Sequence, residues 1–184
     1  RAGLVPFTFS DQFKEVTTRL SGNAVDATLS NDLNSFTEAL LFTHRGLSGP
    51  SSLQLSNYWQ VGERFNINFL PSLDLIDLLK AKKISQPKVL LRTLLTEYLP
   101  KSVVLELQTL VWAEFADIAI GKLSDEQLEH IAQRLHHFEV KPSGTEGYRT
   151  AEVTLGGVDT TEVSSKTMES KKQQGLYFIG EILD

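Results

Sequence analysis

The residues whose types and spacing suit chemistry are gathered around glycines. In LFTHRGLSGP an apolar run ends on Thr43 and His44, followed by Gly46, Ser48, Gly49 and Pro50. Read as a tight turn into a helix, this stretch presents unpaired first-turn NH groups at the positive end of a helix dipole, suited to an anion or a polar ligand edge. The plainer alternative is a connector whose glycines permit the bend. Ser48 does not complete G-x-S-x-G, because the fifth position is Pro50, so a nucleophile elbow is not supported. His44 changes charge near neutrality, and is either a proton donor or acceptor, or a hydrogen-bonding group at the strand end.

Two further glycine segments lie near the C-terminus, AEVTLGGVD and GLYFIGEILD. Gly156 and Gly157 allow close approach of another backbone or of a flat ligand. Leu176 to Ile179, bounded by Gly175 and Gly180, reads as a short buried strand followed by a turn. Neither LGGVD nor SGTEGY is a phosphate loop, and G-x-G-x-x-G does not occur. His130, His136 and His137 read as a cationic helix end rather than a metal site, since no carboxylate spacing completes a ligand set. No metal is expected, and no pair of carboxylates stands out as acid and base.

Composition narrows the classes. The 184 residues contain no cysteine, which excludes disulfides and thiolate chemistry. The formal net charge is -5, without a basic footprint for a phosphate backbone, so the expectation is no nucleic acid partner. The most apolar stretches, Val89 to Leu99 and Val103 to Ile120, are broken by Arg92, Glu97, Glu106 and Glu114; no membrane partner and a cytoplasmic location are expected. The sequence opens on Arg1, and its one methionine is Met168, which gives the expectation that both ends continue in a longer chain.

Periodicity supplies the frame. NAVDATLS alternates, with Val25, Ala27 and Leu29 on one face, and FKEVTTRL before it reads as its hairpin partner across Ser21, Gly22 and Asn23. EALLFTH reads as an interior strand, SSLQLSNYW as a short helix, and ERFNINFLP as a strand with Phe65, Ile67 and Phe69 on one side. From Ser72 the period becomes helical. Ser72 is the expected cap of one helix, Pro87 the first turn of a second, and Ser102 the start of a third that runs past Phe115 to Gly121. Ser124 with Gln127 forms a capping box for the fourth. HFEV and YRTAEVTL return to strand character. The fold class is α+β, a barrel-like sheet interrupted by about four helices. The divisions are 1-71, first part of the barrel; 72-138, helical subdomain; 139-165, returning barrel strands; and 166-184, a returning segment.

The motifs LFTH-x-GLSGP, AEVT-x-GGV, KTMESK and GLYF-x-GE-x-LD, in this order, resemble the BaiN-like, or aminoacetone-oxidase, family of bacterial NAD(P)/FAD-dependent oxidoreductases. The resemblance runs from LVPFTF to the final GEILD. It implies an insert domain of barrel and helices on the substrate side of an FAD protein, with residues 166-184 starting the return into the FAD domain. In the intact protein, Gly156, Gly157 and Val158 look like the turn that approaches the flavin ring. Gly180 and Glu181, with Asp184 just beyond, look like the motif at the ribityl and pyrophosphate region. Implied partners are the FAD-binding domain of the same chain and a small-molecule substrate, with NAD(P)H as electron donor. The segment alone is expected to fold without retaining FAD or activity. The alternative from a different class is a protein-interaction module in which flavin chemistry is secondary.

Overall fold

The computed structural model describes residues 1–184. Strand β3 (Ala24–Ser30) forms where the alternation predicts it, and Val25, Ala27 and Leu29 all point into the core. It pairs antiparallel with β4 (Ser35–Thr43), in register from Ala24 opposite Leu41 to Ser30 opposite Ser35. Asn31 sets the intervening turn: its Oδ1 accepts from the Asn34 amide at 2.8 Å. Strand β6 (Phe65–Asn68) adds to the other edge of β3, but only along Thr28–Ser30.

Strands β5 (Gly46–Ser48), β2 (Phe7–Thr8) and β8 (Gly144–Thr145) extend the sheet beyond β4, while β7 (Phe138–Val140) extends it beyond β6. The resulting order is β7-β6-β3-β4-β5-β2-β8, with every neighbour antiparallel. Laid flat, seven strands would be about 29 Å across. Val140 and Gly144, on the two edge strands, are four peptide steps apart, a reach of about 14 Å at most. The sheet therefore curls into a barrel-like form. Phe7 fills its interior, edge-on to Trp59 at 5.3 Å and against Phe65 at 4.9 Å between ring centroids.

Six helices accompany the sheet. α1 (Gln12–Arg19) lies beside β4 and β5, and α2 (Pro50–Ser56) follows β5 directly. The other four, α3 (Leu75–Ser85), α4 (Leu91–Leu95), α5 (Lys101–Val111) and α6 (Asp125–His136), occupy the single connection between β6 and β7. One cluster of 34 buried residues joins them to the barrel. Phe138 of β7 packs 5.6 Å from Phe69, just after β6, and 5.9 Å from Phe13 of α1, between ring centroids. On the solvent side Lys80 bonds Glu129 and Lys83 bonds Asp125, each at 2.6 Å, tying α3 to α6.

The α+β class and the barrel-like sheet agree with the sequence reading; several local elements differ. FKEVTTRL is helix α1, not a strand. Its β-branched residues favour a strand, but Asp11 caps the Phe13 amide at 3.1 Å and Val16 and Leu20 are buried at helical spacing. LFTHRGLSGP is a hairpin before it is a helix: β4 turns through His44 and Arg45 into β5, and α2 begins at Pro50. Asp74, not Ser72, caps α3. Pro87 lies outside α4, because its carbonyl and that of Val89 accept from Gly121 and Ile120 at 2.9 and 2.8 Å. The third helix ends at Val111, where Trp112 leaves the helical region.

The capping box of α6 is present in both directions, Gln127 N to Ser124 Oγ at 3.1 Å and Ser124 N to Gln127 Oε1 at 2.7 Å. Ser124→Ala is expected to lower the unfolding free energy in urea by about 1 kcal/mol. Gly46→Ala places a Cβ 2.2 Å from the Phe7 carbonyl oxygen and wedges β5 from β2; the expected loss is larger, roughly 1–3 kcal/mol.

Candidate functional site

Strand β1 (Ala2–Gly3) pairs with β9 (Val153–Thr154) in a separate two-stranded sheet, Ala2 opposite Thr154 and Gly3 opposite Val153. The Leu155 amide continues the ladder by donating to Arg1 O at 2.6 Å. The chain thus approaches the barrel and departs from it side by side. The first candidate glycines follow immediately after the departing strand.

The structure brings the two glycine segments together. Val158 and Leu183 form a parallel bridge, in which Val158 N donates to Ile182 O at 2.8 Å and Asp184 N donates to Val158 O at 3.0 Å. Leu183 N closes the second turn onto Gly180 O at 3.3 Å. The three glycines have different physical reasons. A Cβ on Gly157 would lie 2.3 Å from Ile182 O, so only glycine lets the second segment pack there. Gly156 and Gly180 instead have φ of +82° and +79°, in the left-handed region that disfavours side chains, and the space beside each is open.

The amides of Gly156, Gly157, Gly180 and Glu181 make no hydrogen bond within the chain, and the exposed Glu181 carboxylate likewise has no partner there. These two exposed turns offer NH donors and one carboxylate acceptor, a set that suits the polar rim of a flat ring and the hydroxyls of a sugar-like chain. His44 is elsewhere in the fold, exposed in the β4–β5 turn, with its backbone carbonyl accepting from Thr18 Oγ1 at 3.2 Å.

The segment between the two glycine turns is held chiefly by its own backbone. Ser164 N donates to Glu169 O, Ser170 N to Leu176 O and Lys171 N to Glu162 O, each at 2.8 Å. Val163 is its one buried side chain. The expected buried strand at Leu176 to Ile179 is therefore corrected: Tyr177 is 58% and Ile179 75% exposed, and Ile182 beyond them is 53% exposed. The apolar run meant burial, but nothing in residues 1–184 covers it.

The histidines expected to complement a helix dipole divide. His136, in the last turn of α6, has Nδ1 3.0 Å from Asn68 Oδ1 and is partly buried. Burial, reinforced by neighbouring His137, holds its pKa below the ordinary value of 6.5 despite Asp74. Desolvation is the largest cause here. No group of three or more His, Cys, Asp or Glu side chains is placed to share a metal ion. No helix is long and apolar enough to cross a membrane.

Comparison with known proteins places this geometry in context. The family model for the HI0933-like protein barrel and H2TH domain matches residues 1–153, ending on β9. Ribosomal RNA dihydrouridine synthase of Escherichia coli K12 is 48% identical over 185 residues, covering 100% of this chain and 46% of that protein. The protein of the same name from Haemophilus influenzae is 48% identical over 188 residues, covering 100% and 45%. The 3-dehydro-bile acid delta(4,6)-reductase of Clostridium scindens is 28% identical over 157 residues, covering 80% and 38%. The chain spans somewhat under half the length of these first two relatives. Their names overturn the expectation of no nucleic acid partner. That expectation rested on the net charge of -5, which sums over the molecule and says nothing of how charge is distributed locally.

Two outcomes are expected. Gly157→Ala should detach the pairing of Val158 with residues 182 to 184, seen as faster hydrogen exchange at the Val158 and Asp184 amides with little change in the melting of the core. Because the folded-state pKa of His136 is depressed, the unfolded chain binds more protons as pH falls below about 6.5, so stability drops toward acid pH. His136→Gln should flatten that dependence in urea unfolding between pH 7 and 5.

Proposed function

This chain belongs to the HI0933-like protein barrel and H2TH domain family, and from that premise we propose that it forms the substrate-side insert of an FAD-dependent reductase acting on uridine in ribosomal RNA. The substrate class is taken from the two relatives 48% identical across the whole chain. The cofactor is taken from the family resemblance carried by the glycine motifs. The observation that carries the reading is the pairing of Val158 with residues 182 to 184, which brings the two glycine turns together while the Gly156, Gly157, Gly180 and Glu181 amides stay without a partner in the chain. The pairing of β1 with β9 supports it, since an inserted domain needs its entry and exit side by side. Residues 166–184 are then the segment returning to the FAD domain, and the exposed Tyr177, Ile179 and Ile182 pack against it.

Conversion of uridine to dihydrouridine adds a hydride and a proton across the C5=C6 bond. Bound FAD, reduced by NAD(P)H, supplies the hydride. The chain's own part is positional. Gly156 and Gly157 would let the backbone approach the ring edge and offer their free amides to its polar atoms, while Gly180 and the Glu181 carboxylate would face the ribityl and pyrophosphate region, the carboxylate accepting from ribityl hydroxyls. The barrel and helices cover the cofactor and exclude water from it.

The intact protein is expected to purify yellow with stoichiometric flavin, and cells lacking it to lose dihydrouridine from ribosomal RNA. A colourless intact protein, or ribosomal RNA with undiminished dihydrouridine, would overturn the reading. The 184-residue segment alone is expected to fold and remain colourless. Gly180→Val forces a branched side chain to φ near +79° and is expected to lower flavin retention at least about tenfold. His44→Ala separates the two roles left open for that residue: a fall in turnover with unchanged flavin content assigns it a proton, while full turnover assigns it to the hairpin.

A further inference from the structure

A groove of about 360 Å³ lies between α4 and α5, lined by Arg92, Thr93, Thr96, Lys101, Val104 and Leu105. Two cations and two hydroxyls line it, and no carboxylate does, in a chain whose net charge is -5. Arg92 Nη1 is held by Ala116 O at 3.2 Å and by Asp117 Oδ1 at 2.9 Å, which fixes the guanidinium while leaving Nε and Nη2 for a ligand. Lys101 is exposed and without an ion-pair partner. It is also the first residue of α5, where a cation opposes the helix dipole, so helix stability does not account for its presence.

The opposite side of the same α4–α5 turn borders a second cavity, of about 420 Å³. Tyr98, 38% exposed, and Leu99 form one wall, and Phe69 and Leu70 lie across from them. The lining continues through Pro71–Leu73 and Pro100 and includes the edge of β3 at Ala24–Asp26, which β6 leaves unpaired because it joins β3 only along Thr28–Ser30. An aromatic face beside free backbone groups suits a nucleobase. The Asp26 carboxylate on this wall repels phosphate, so the base and not the backbone faces this side.

We propose that single-stranded RNA crosses the α4–α5 turn, with a backbone phosphate between Arg92 and Lys101 and an adjacent base stacked on Tyr98. This rests on the ribosomal RNA reading above and adds to it where the substrate is held outside the flavin edge. The arrangement is sequence-tolerant, since every base has a face to stack and every nucleotide a phosphate.

The test is fluorescence anisotropy of the intact protein with a labelled single-stranded RNA of about twelve nucleotides, alongside melting temperature and dihydrouridine content of ribosomal RNA. Lys101→Glu is expected to weaken binding about tenfold and to reduce the salt slope by about 0.7 for the one phosphate lost. Its melting temperature is expected to hold or rise, because a carboxylate suits the start of α5. Tyr98→Ala is expected to weaken binding by about tenfold with the salt slope unchanged. Wild-type affinity in both variants overturns the proposal while leaving the ribosomal RNA reading intact, provided the wild-type protein still forms dihydrouridine. Absence of dihydrouridine with the wild-type protein defeats that reading itself. A loss of affinity by Lys101→Glu that comes with a matching fall in melting temperature assigns Lys101 to the fold and also overturns the proposal.

Discussion

Val140 and Gly144 belong to opposite edges of a seven-stranded sheet, yet four peptide steps join them, and this short connection obliges the sheet to close on itself. Closure decides what the interior must contain. Phe7, Phe65 and Trp59 are large enough to fill the curled sheet, whereas a flat sheet would have exposed one whole face. It also decides where additional structure can go. The β7–β8 connection is too short to hold a helix, and the four-helix excursion occupies the one between β6 and β7. That excursion returns to the sheet at Phe138, and the barrel and the helices share a single core.

What could be read from the sequence follows from how local each determinant is. The faces of β3 and β6 and the capping box of α6 are set by residues within a few positions of one another, and all three appear where their patterns place them. In the α1 segment the signals conflict: Val16, Thr17 and Thr18 favour strand by side-chain type while the spacing of Val16 and Leu20 favours helix. The cap from Asp11 and burial against the sheet decide that contest. His44 and Arg45 form a hairpin turn because β5 pairs with both β4 and β2, and the partner Phe7 is about forty residues away.

The glycines show the same limit at the candidate site. Sequence alone allowed two reasons for Gly156 and Gly157, a neighbouring backbone or a flat ligand. The fold gives different reasons to adjacent residues: Gly157 makes room for the Ile182 carbonyl, and Gly156 takes a left-handed turn facing open space. The contact that distinguishes them joins positions twenty-five apart, across a segment with one buried side chain. No periodic pattern could have signalled it. The apolar run before Gly180 misled for a related reason. Apolar character states that a surface prefers to be covered, without stating by what, and residues 1–184 leave Tyr177 and Ile179 in solvent.

Charge requires the same distinction between sum and place. A net value of -5 argues against a phosphate partner only if the cations are spread evenly among the carboxylates. Half of the 18 are ion-paired, among them Lys80 with Glu129, Lys83 with Asp125, Arg64 with Glu139, Arg45 with Glu146 and Arg92 with Asp117. Exposed pairs such as these add little to stability, but each cancels its own local field. Lys101 is among the nine that are not ion-paired, on a helix whose N-terminal NH groups lack a side-chain cap. An acidic total is compatible with a groove lined by Arg92 and Lys101, where Asp117 engages only Nη1 of the guanidinium.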